Sequence, residues 1–208
     1  MSKLVLATRN PHKVSELRRI LAEAGLPDVE LVGVEAFPGV EDVRETGITF
    51  EENATLKAQA VASATGVAAI ADDSGLCVDV LGGAPGVFSA RWSGVHGDDL
   101  ANLRLLLAQL ADVPAAHRGA HFGCAAVLAL PDGSVRVAEG RVEGTLLTEP
   151  RGRGGFGYDP IFVPTGHTRT TAEMSAAEKN AISHRGRAFR AIVPAVRELL
   201  GTAEGGSS

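Results

Sequence analysis

Lys3-Leu4-Val5-Leu6-Ala7-Thr8, followed at once by Arg9-Asn10-Pro11-His12-Lys13, decides the fold class of this chain. The apolar run reads as a buried first strand. Asn10 is a good helix cap and Pro11 a good first helical residue. Val14, Leu17, Ile20 and Leu21 then recur at helical spacing, and Gly25 suits the stop just past a helix end. The opening is therefore strand, short loop, helix, and residues 29–34 read as a second strand.

Further along, residues 37–47 form a loop carrying Glu41, Asp42 and Glu45. Thr49-Phe50-Glu51-Glu52 has the pattern of a capping box, opening a helix to about Thr65. The apolar strand at residues 67–71 is expected to run out at Asp72-Asp73, with a turn at Ser74-Gly75. Residues 76–80 alternate weakly and could extend the sheet, and the Gly/Pro-rich stretch 81–87 is a loop. Residues 98–110 predict a helix with Leu100, Leu103, Leu106, Leu107 and Leu110 on one face. Residues 122–130 and 135–142 flank Pro131-Asp132-Gly133-Ser134, a hairpin signal. After a Gly/Arg loop at 149–159 and a short strand at 161–163, a last helix spans 183–200, which Pro194 should kink or break. A βαβα opening with a later hairpin argues for an α/β or α+β domain around a mixed sheet. No repeat or linker divides it, so residues 1–200 are expected to form one domain and 201–208 a disordered tail.

Composition narrows the function classes. The net charge of −5 over 208 residues disfavours polymeric nucleic acid and membrane surfaces as partners. A local basic pocket for a small anionic substrate remains compatible with it. The aromatic share is only 4%, so each ring can be questioned individually. Cys77 and Cys124 lie in apolar runs without metal-ligand spacing and read as buried small hydrophobes. No apolar run reaches the roughly 18–20 residues needed to span a bilayer, and the chain opens without a leader layout. A cytoplasmic location is expected.

Four segments carry chemistry. Thr8 to Lys13 sits between strand and helix, where unpaired amides and the positive helix end suit an anion. Thr8, Asn10 and Lys13 add donors; the alternative is a capped helix with Lys13 in solvent. Asp72, Asp73 and Glu45 are hard oxygen ligands of the kind Mg²⁺ takes singly or in pairs, beside waters and phosphates. In an extended chain Asp72 and Asp73 would face opposite ways, so both could meet one metal only across a turn. Asp73 is the better candidate, and Asp72 is as well suited to bracing the loop. A solvated acidic turn is the plainer reading of that segment alone.

Gly154-Gly155-Phe156-Gly157-Tyr158-Asp159-Pro160 surrounds one phenyl ring with glycines, leaving its face open to stack a nucleobase, or else using it as a core plug. Asp159 could accept from a base or sugar. In the fourth segment Ser183 can cap the last helix and put His184 and Arg185 in its first turn, with Lys179 upstream. Cations there call for an anion or carbonyl oxygens, or are simply solvated. Lys57 is expected to share an exposed face with Asn53 and is a further phosphate candidate or a surface lysine.

Taken in order, the chain resembles the inosine triphosphate pyrophosphatase family. The resemblance rests on Ala7-Thr8-Arg9-Asn10-x-x-Lys13, Glu45-Thr46-Gly47-x-Thr49-Phe50-x-Glu52-Asn53-Ala54-x-x-Lys57-Ala58 and Ala71-Asp72-Asp73-Ser74-Gly75-Leu76. It continues through Leu81-Gly82-Gly83-Ala84-Pro85-Gly86, the Gly154–Pro160 segment and Ser183-His184-Arg185-Gly186. Arg9 departs from the family's usual glycine, which leaves the loop's geometry open and makes Arg9 a candidate contact.

The resemblance implies a two-lobed α/β fold around an elongated mixed β-sheet flanked by helices, with a cleft between the lobes, and a homodimer. It implies Mg²⁺-dependent cleavage of ITP, dITP or XTP into monophosphate and pyrophosphate. Carried over, Asp73 matches a metal ligand and general base, and Glu45 a second metal-site acid. Thr8, Arg9, Asn10, Lys13, Lys57 and Ser74 match triphosphate-handling positions. Phe156, Gly157, Tyr158, Asp159, Lys179, His184 and Arg185 match nucleotide-binding positions, with His184 and Arg185 as donors to purine O6. Two rivals are a pyrophosphatase for modified pyrimidine triphosphates and a non-catalytic nucleotide sensor. The sensor would have no use for the acids.

Overall fold

The computed structural model describes residues 2–200, so the expected tail at 201–208 lies outside the described residues. Strand β1 (Ser2–Leu6) passes into helix α1 (Pro11–Glu23), where the Asn10 side chain accepts from His12 N and Pro11 opens the first turn. Val14, Leu17, Ile20 and Leu21 are the buried face, as their spacing predicts. Strand β2 (Val29–Gly33) follows, then helix α2 (Phe50–Thr65), strand β3 (Ala68–Val78) and helix α3 (Asp99–Gln109). Strands β4 (Gly119–Ala129) and β5 (Val135–Leu146) flank the expected hairpin turn, where Asp132 Oδ1 accepts from Ser134 N. Strand β6 (Phe162–Pro164) and helices α4 (Ala176–Ile182) and α5 (His184–Leu200) complete the described chain.

The strands form one six-stranded sheet in the order β2-β1-β3-β4-β5-β6. β1 runs parallel to β2 and β3, whereas β5 and β6 are antiparallel, so the sheet is mixed and the fold is α/β, flanked by helices. Two compact units are delimited within the described residues: 2–73, 125–139 and 185–200 in the first, and 74–124 and 140–184 in the second. The first has a core of Val5, Val61, Ala69 and Val127 with Ala54, Ala58 and Ala62 of α2. Those alanines let α2 lie close to the sheet. The second packs Leu76, Leu106, Leu110, Tyr158, Ile161 and Phe162. At roughly 1.5–3 kcal/mol for each large side chain buried, either core is a substantial source of stability.

Several expectations are corrected. β3 does not run out at Ala71: it continues through Asp72-Asp73-Ser74-Gly75 to Val78, and Ser74-Gly75 makes no turn. Gly75 permits this, because a Cβ there would collide with Gly86 O and Ser89 Oγ. Ser89 Oγ in turn accepts from Leu76 N at 2.9 Å. Leu100 is 56% exposed although Leu103, Leu106 and Leu110 are buried, because it lies on the flank of the stripe in the helix's first turn. Thr49 caps Glu52 N, but Glu52 bonds Ile48 N rather than Thr49 N, so only half of the expected box forms.

α5 runs unbroken through Pro194, which is exposed, while Phe189, Ile192, Val193 and Val196 bury the opposite face. Burial of that face outweighs a local cost of about 3 kcal/mol for an interior proline. Helix α4 was not expected, yet its signature is in the sequence: Ser175 and Glu178 form a complete capping box. Cys77 and Cys124 are both buried, as expected, and neither is in a disulfide among the described residues.

Candidate active site

The acids at residues 72 and 73 find separate partners because β3 stays extended and turns their side chains to opposite faces. Both oxygens of Asp72 accept from Lys13 Nζ, each at 2.9 Å, and Oδ2 also accepts from Arg185 Nε at 2.9 Å. The Asp72 side chain is 2% exposed, against 23% for Lys13 and 17% for Arg185. Burial alone would raise this carboxyl's pKa, but Lys13 and Arg185 outweigh it and hold the group well below the usual carboxylate range. Asp72 is thus a permanent anion that braces a lysine of α1 and an arginine of α5.

Asp73 enters a different cluster. Its Oδ2 accepts from Asn53 Nδ2 at 3.1 Å, and its Oδ1 lies 3.8 Å from Lys57 Nζ. Lys57 also donates to Glu45 Oε1 at 2.7 Å. Two carboxylates therefore converge on one ammonium. Lys57 and Asn53 were expected on an exposed face; instead Asn53 is fully buried and Lys57 is 18% exposed, because that side of α2 faces the acids. Ser74 follows Asp73 on β3 and belongs to the second unit.

Two hard carboxylates around a buried-side cation suit a divalent ion of the magnesium type, which keeps several waters and needs only one or two protein acids. Among the described residues no group of three or more His, Cys, Asp or Glu side chains is placed to hold a metal ion. The donor set fits the ion.

In the loop before α1, Thr8 Oγ1 accepts from Asn10 N at 3.2 Å and Asn10 Oδ1 from His12 N at 2.9 Å. These side chains thus order the loop with their acceptor atoms, whereas the sequence reading valued them as donors. Arg9 donates to Asp42 Oδ1 and Val40 O, with its side chain 55% exposed.

The second unit holds the aromatic part. Phe156 is 66% exposed rather than a core plug, with Lys179 Nζ 4.8 Å from its ring centroid. Lys179 is also ion-paired with Asp159. Asp159 is almost fully buried and accepts from Phe156 N and Thr171 Oγ1, each at 2.8 Å. It therefore holds the loop under Phe156. Gly157 N donates to Asp99 Oδ2, and the buried Tyr158 donates its hydroxyl to Ser89 O at 2.9 Å. Burial, then the nearby Asp99, push the Tyr158 pKa up. His184 stacks on Phe122, centroids 5.0 Å apart and planes 12° from parallel. Phe122, Asp159, Phe162, Lys179, Ser183 and His184 line one concavity. His184 and Arg185, read together from sequence as O6 donors, part here: His184 belongs to this concavity and Arg185 to the Asp72 cluster.

A model of the Ham1 family matches residues 4–195. The chain belongs to the Ham1 family. It is 69% identical over 201 residues to a dITP/XTP pyrophosphatase of Streptomyces coelicolor, covering 97% of this chain and 100% of that one. It is 59% identical over 203 residues to the dITP/XTP pyrophosphatase of Frankia alni, covering 95% of this chain and 98% of that protein. Among solved Ham1 structures, the Coxiella burnetii protein superposes with a TM-score of 0.88 at 40% identity, covering 95% of this chain and 100% of that one. The nucleoside-triphosphatase / dITP/XTP pyrophosphatase of Mycobacterium abscessus gives 0.80 at 53% identity, covering 94% and 100%.

Two supporting residues had no role in the sequence reading. Asn53 stood inside the Glu45–Ala58 motif, and its position just after a capped helix start was the available signal. Thr171 gave none, because its tie to Asp159 joins residues 12 apart in sequence through a loop. Among the described residues no helix is long and apolar enough to cross a membrane.

Proposed function

We propose that this Ham1 chain hydrolyses non-standard purine nucleoside triphosphates (ITP, dITP and XTP), releasing the nucleoside monophosphate and pyrophosphate. The observation that carries the proposal is the convergence of Glu45 and Asp73 on Lys57 in a chain of this family. Glu45 and Asp73 would hold a magnesium ion, which when bound supplies charge neutralisation for the leaving pyrophosphate.

The protein's own groups do the rest. Lys13, Lys57 and Arg9 with the amides at the start of α1 receive phosphate oxygens. Asp73 takes the proton of the attacking water, held in orientation by Asn53. The open face of Phe156 stacks the base, and Lys179 above the ring restricts where it can lie. His184, fixed by Phe122, donates to purine O6. Adenine presents an amino donor at that position, so donor would face donor. A buried unpaired donor costs about 1–3 kcal/mol, which favours ITP over ATP by roughly 5- to 150-fold. The protein is expected to work in the cytoplasm as a homodimer.

Product analysis with ITP and Mg²⁺ tests the reading. IMP and pyrophosphate are expected; IDP and orthophosphate would overturn it. A second incubation with chelator in place of Mg²⁺ is expected to abolish release.

A further inference from the structure

Two side chains of α2 reach both acid-bearing segments: Lys57 meets the Glu45 and Asp73 carboxylates, whereas the Asn53 amide ties the Asp73 carboxylate to the backbone of the Glu45 segment. Asn53 is fully buried, its Oδ1 accepts from Gly47 N at 2.8 Å, and its Nδ2 donates to Asp73 Oδ2 at 3.1 Å. The orientation of the amide is not arbitrary. A backbone N–H can only donate, so Oδ1 must face Gly47, and Nδ2 must then face Asp73. Gly47 lies two residues from Glu45, and a Cβ on it would sit 2.6 Å from Glu52 Cβ and 2.8 Å from Asn53 Oδ1. Glycine thus lets the Glu45 segment close onto the amide. On the other side the donated bond engages Oδ2 and leaves Oδ1 towards Lys57, 3.8 Å away.

We infer that Asn53 is a positioning residue for the reaction: one buried amide sets the orientation of the Asp73 carboxylate and its spacing from Glu45. The inference rests on the reading of Asp73 as the proton acceptor. No other common side chain of this length does both jobs. Aspartate offers two acceptors and would confront Asp73 with like charge. Serine is too short to span both partners, and leucine satisfies neither.

The distinction to be made is between orienting Asp73 and merely holding the helix start together. Asn53→Asp keeps the acceptor for Gly47 and replaces the donor to Asp73 with an oxygen. It is expected to lower kcat for ITP by about tenfold or more with KM within about threefold. Thr49→Ala removes the cap of the same helix, and is expected to lower Tm by a few degrees while leaving kcat within about twofold. Because Asn53→Asp could fold poorly, a double-mutant cycle accompanies it. Asn53→Ala should lower kcat by about fivefold or more in the wild-type background and have no further effect on the residual rate of Asp73→Asn. ITP affinity of Asn53→Ala, measured by calorimetry without divalent metal, should stay within about threefold of wild type.

Equal losses in both backgrounds overturn the inference, as does a kcat for Asn53→Asp within twofold of wild type. A loss of metal-free ITP affinity as large as the loss in kcat also overturns it. A wild-type protein that releases no pyrophosphate from ITP would instead defeat the functional reading, and the inference with it.

Discussion

Asp72 and Asp73 are consecutive residues of one strand, and they have been given opposite tasks by the two faces of β3. Asp72 is sealed, 2% exposed, with two cations bound and no freedom to exchange a proton near neutrality. Asp73 is 15% exposed, shares one lysine with Glu45, and has one oxygen engaged by an amide. Burial with full charge compensation makes a brace. Partial exposure, with a lysine shared with a second acid, is the setting of the carboxylate proposed to react. The pleat alone separates the two, since a one-residue shift exchanges every side chain between faces.

Exchanging the roles by mutation is the direct way to break this contrast. Asp72→Ala strands Lys13 and Arg185, and removing one partner of a buried ion pair costs about 3–5 kcal/mol. Both cations keep some water, so the lower end, about 3 kcal/mol, is expected in denaturant unfolding. Asp73→Asn should leave stability nearly unchanged and lower turnover of ITP by at least about 100-fold, read by pyrophosphate release. If Asp72→Ala is as stable as wild type, or Asp73→Asn turns over normally, the division of labour fails.

Acid sharpens the same contrast. The Asp72 pKa is depressed in the folded state relative to an ordinary value of 3.8. Its contribution is therefore fully present above the unfolded value and is lost as pH falls through the folded one. The Tm gap between wild type and Asp72→Asn should be constant from pH 7 to about 5 and narrow steadily below about pH 4.

The aromatic half offers two smaller tests. Phe156→Ala removes a stacking face worth about 1–3 kcal/mol per base, so KM for ITP should rise roughly tenfold with kcat little altered. Tyr158→Phe loses only the bond to Ser89 O, about 1 kcal/mol, and should lower stability slightly without changing either constant. An equal effect of the two substitutions on KM would place Tyr158 against the substrate, as the family resemblance implies.

Much of this was legible in the chain. The Asn10-Pro11 start of α1, the Thr49 start of α2 and the hairpin around Gly133 were readable because each depends on contacts only a few residues apart. The end of β3 was misread for the converse reason. Two acids and a glycine look like a stop, but what keeps the strand going is Ser89 and Gly86, more than ten residues on, and cations from α1, α2 and α5. Lys57 reads from sequence as either a phosphate contact or a surface lysine, and only tertiary contacts bring Glu45 and Asp73 to it. Asp159 is matched to a nucleotide-binding position, and its enclosure by Thr171 and Lys179 comes from contacts that local spacing does not announce.

The sequence by itself determined most of the helices and strands and the stock of acids, cations and aromatic rings, because local hydrogen bonds and hydrophobic periodicity are written within a few residues. Only the tertiary structure decided which acid is sealed between two cations and which meets an amide and a shared lysine. That choice depends on burial and on partners as far as 113 positions away, and such pairings leave no trace in local spacing.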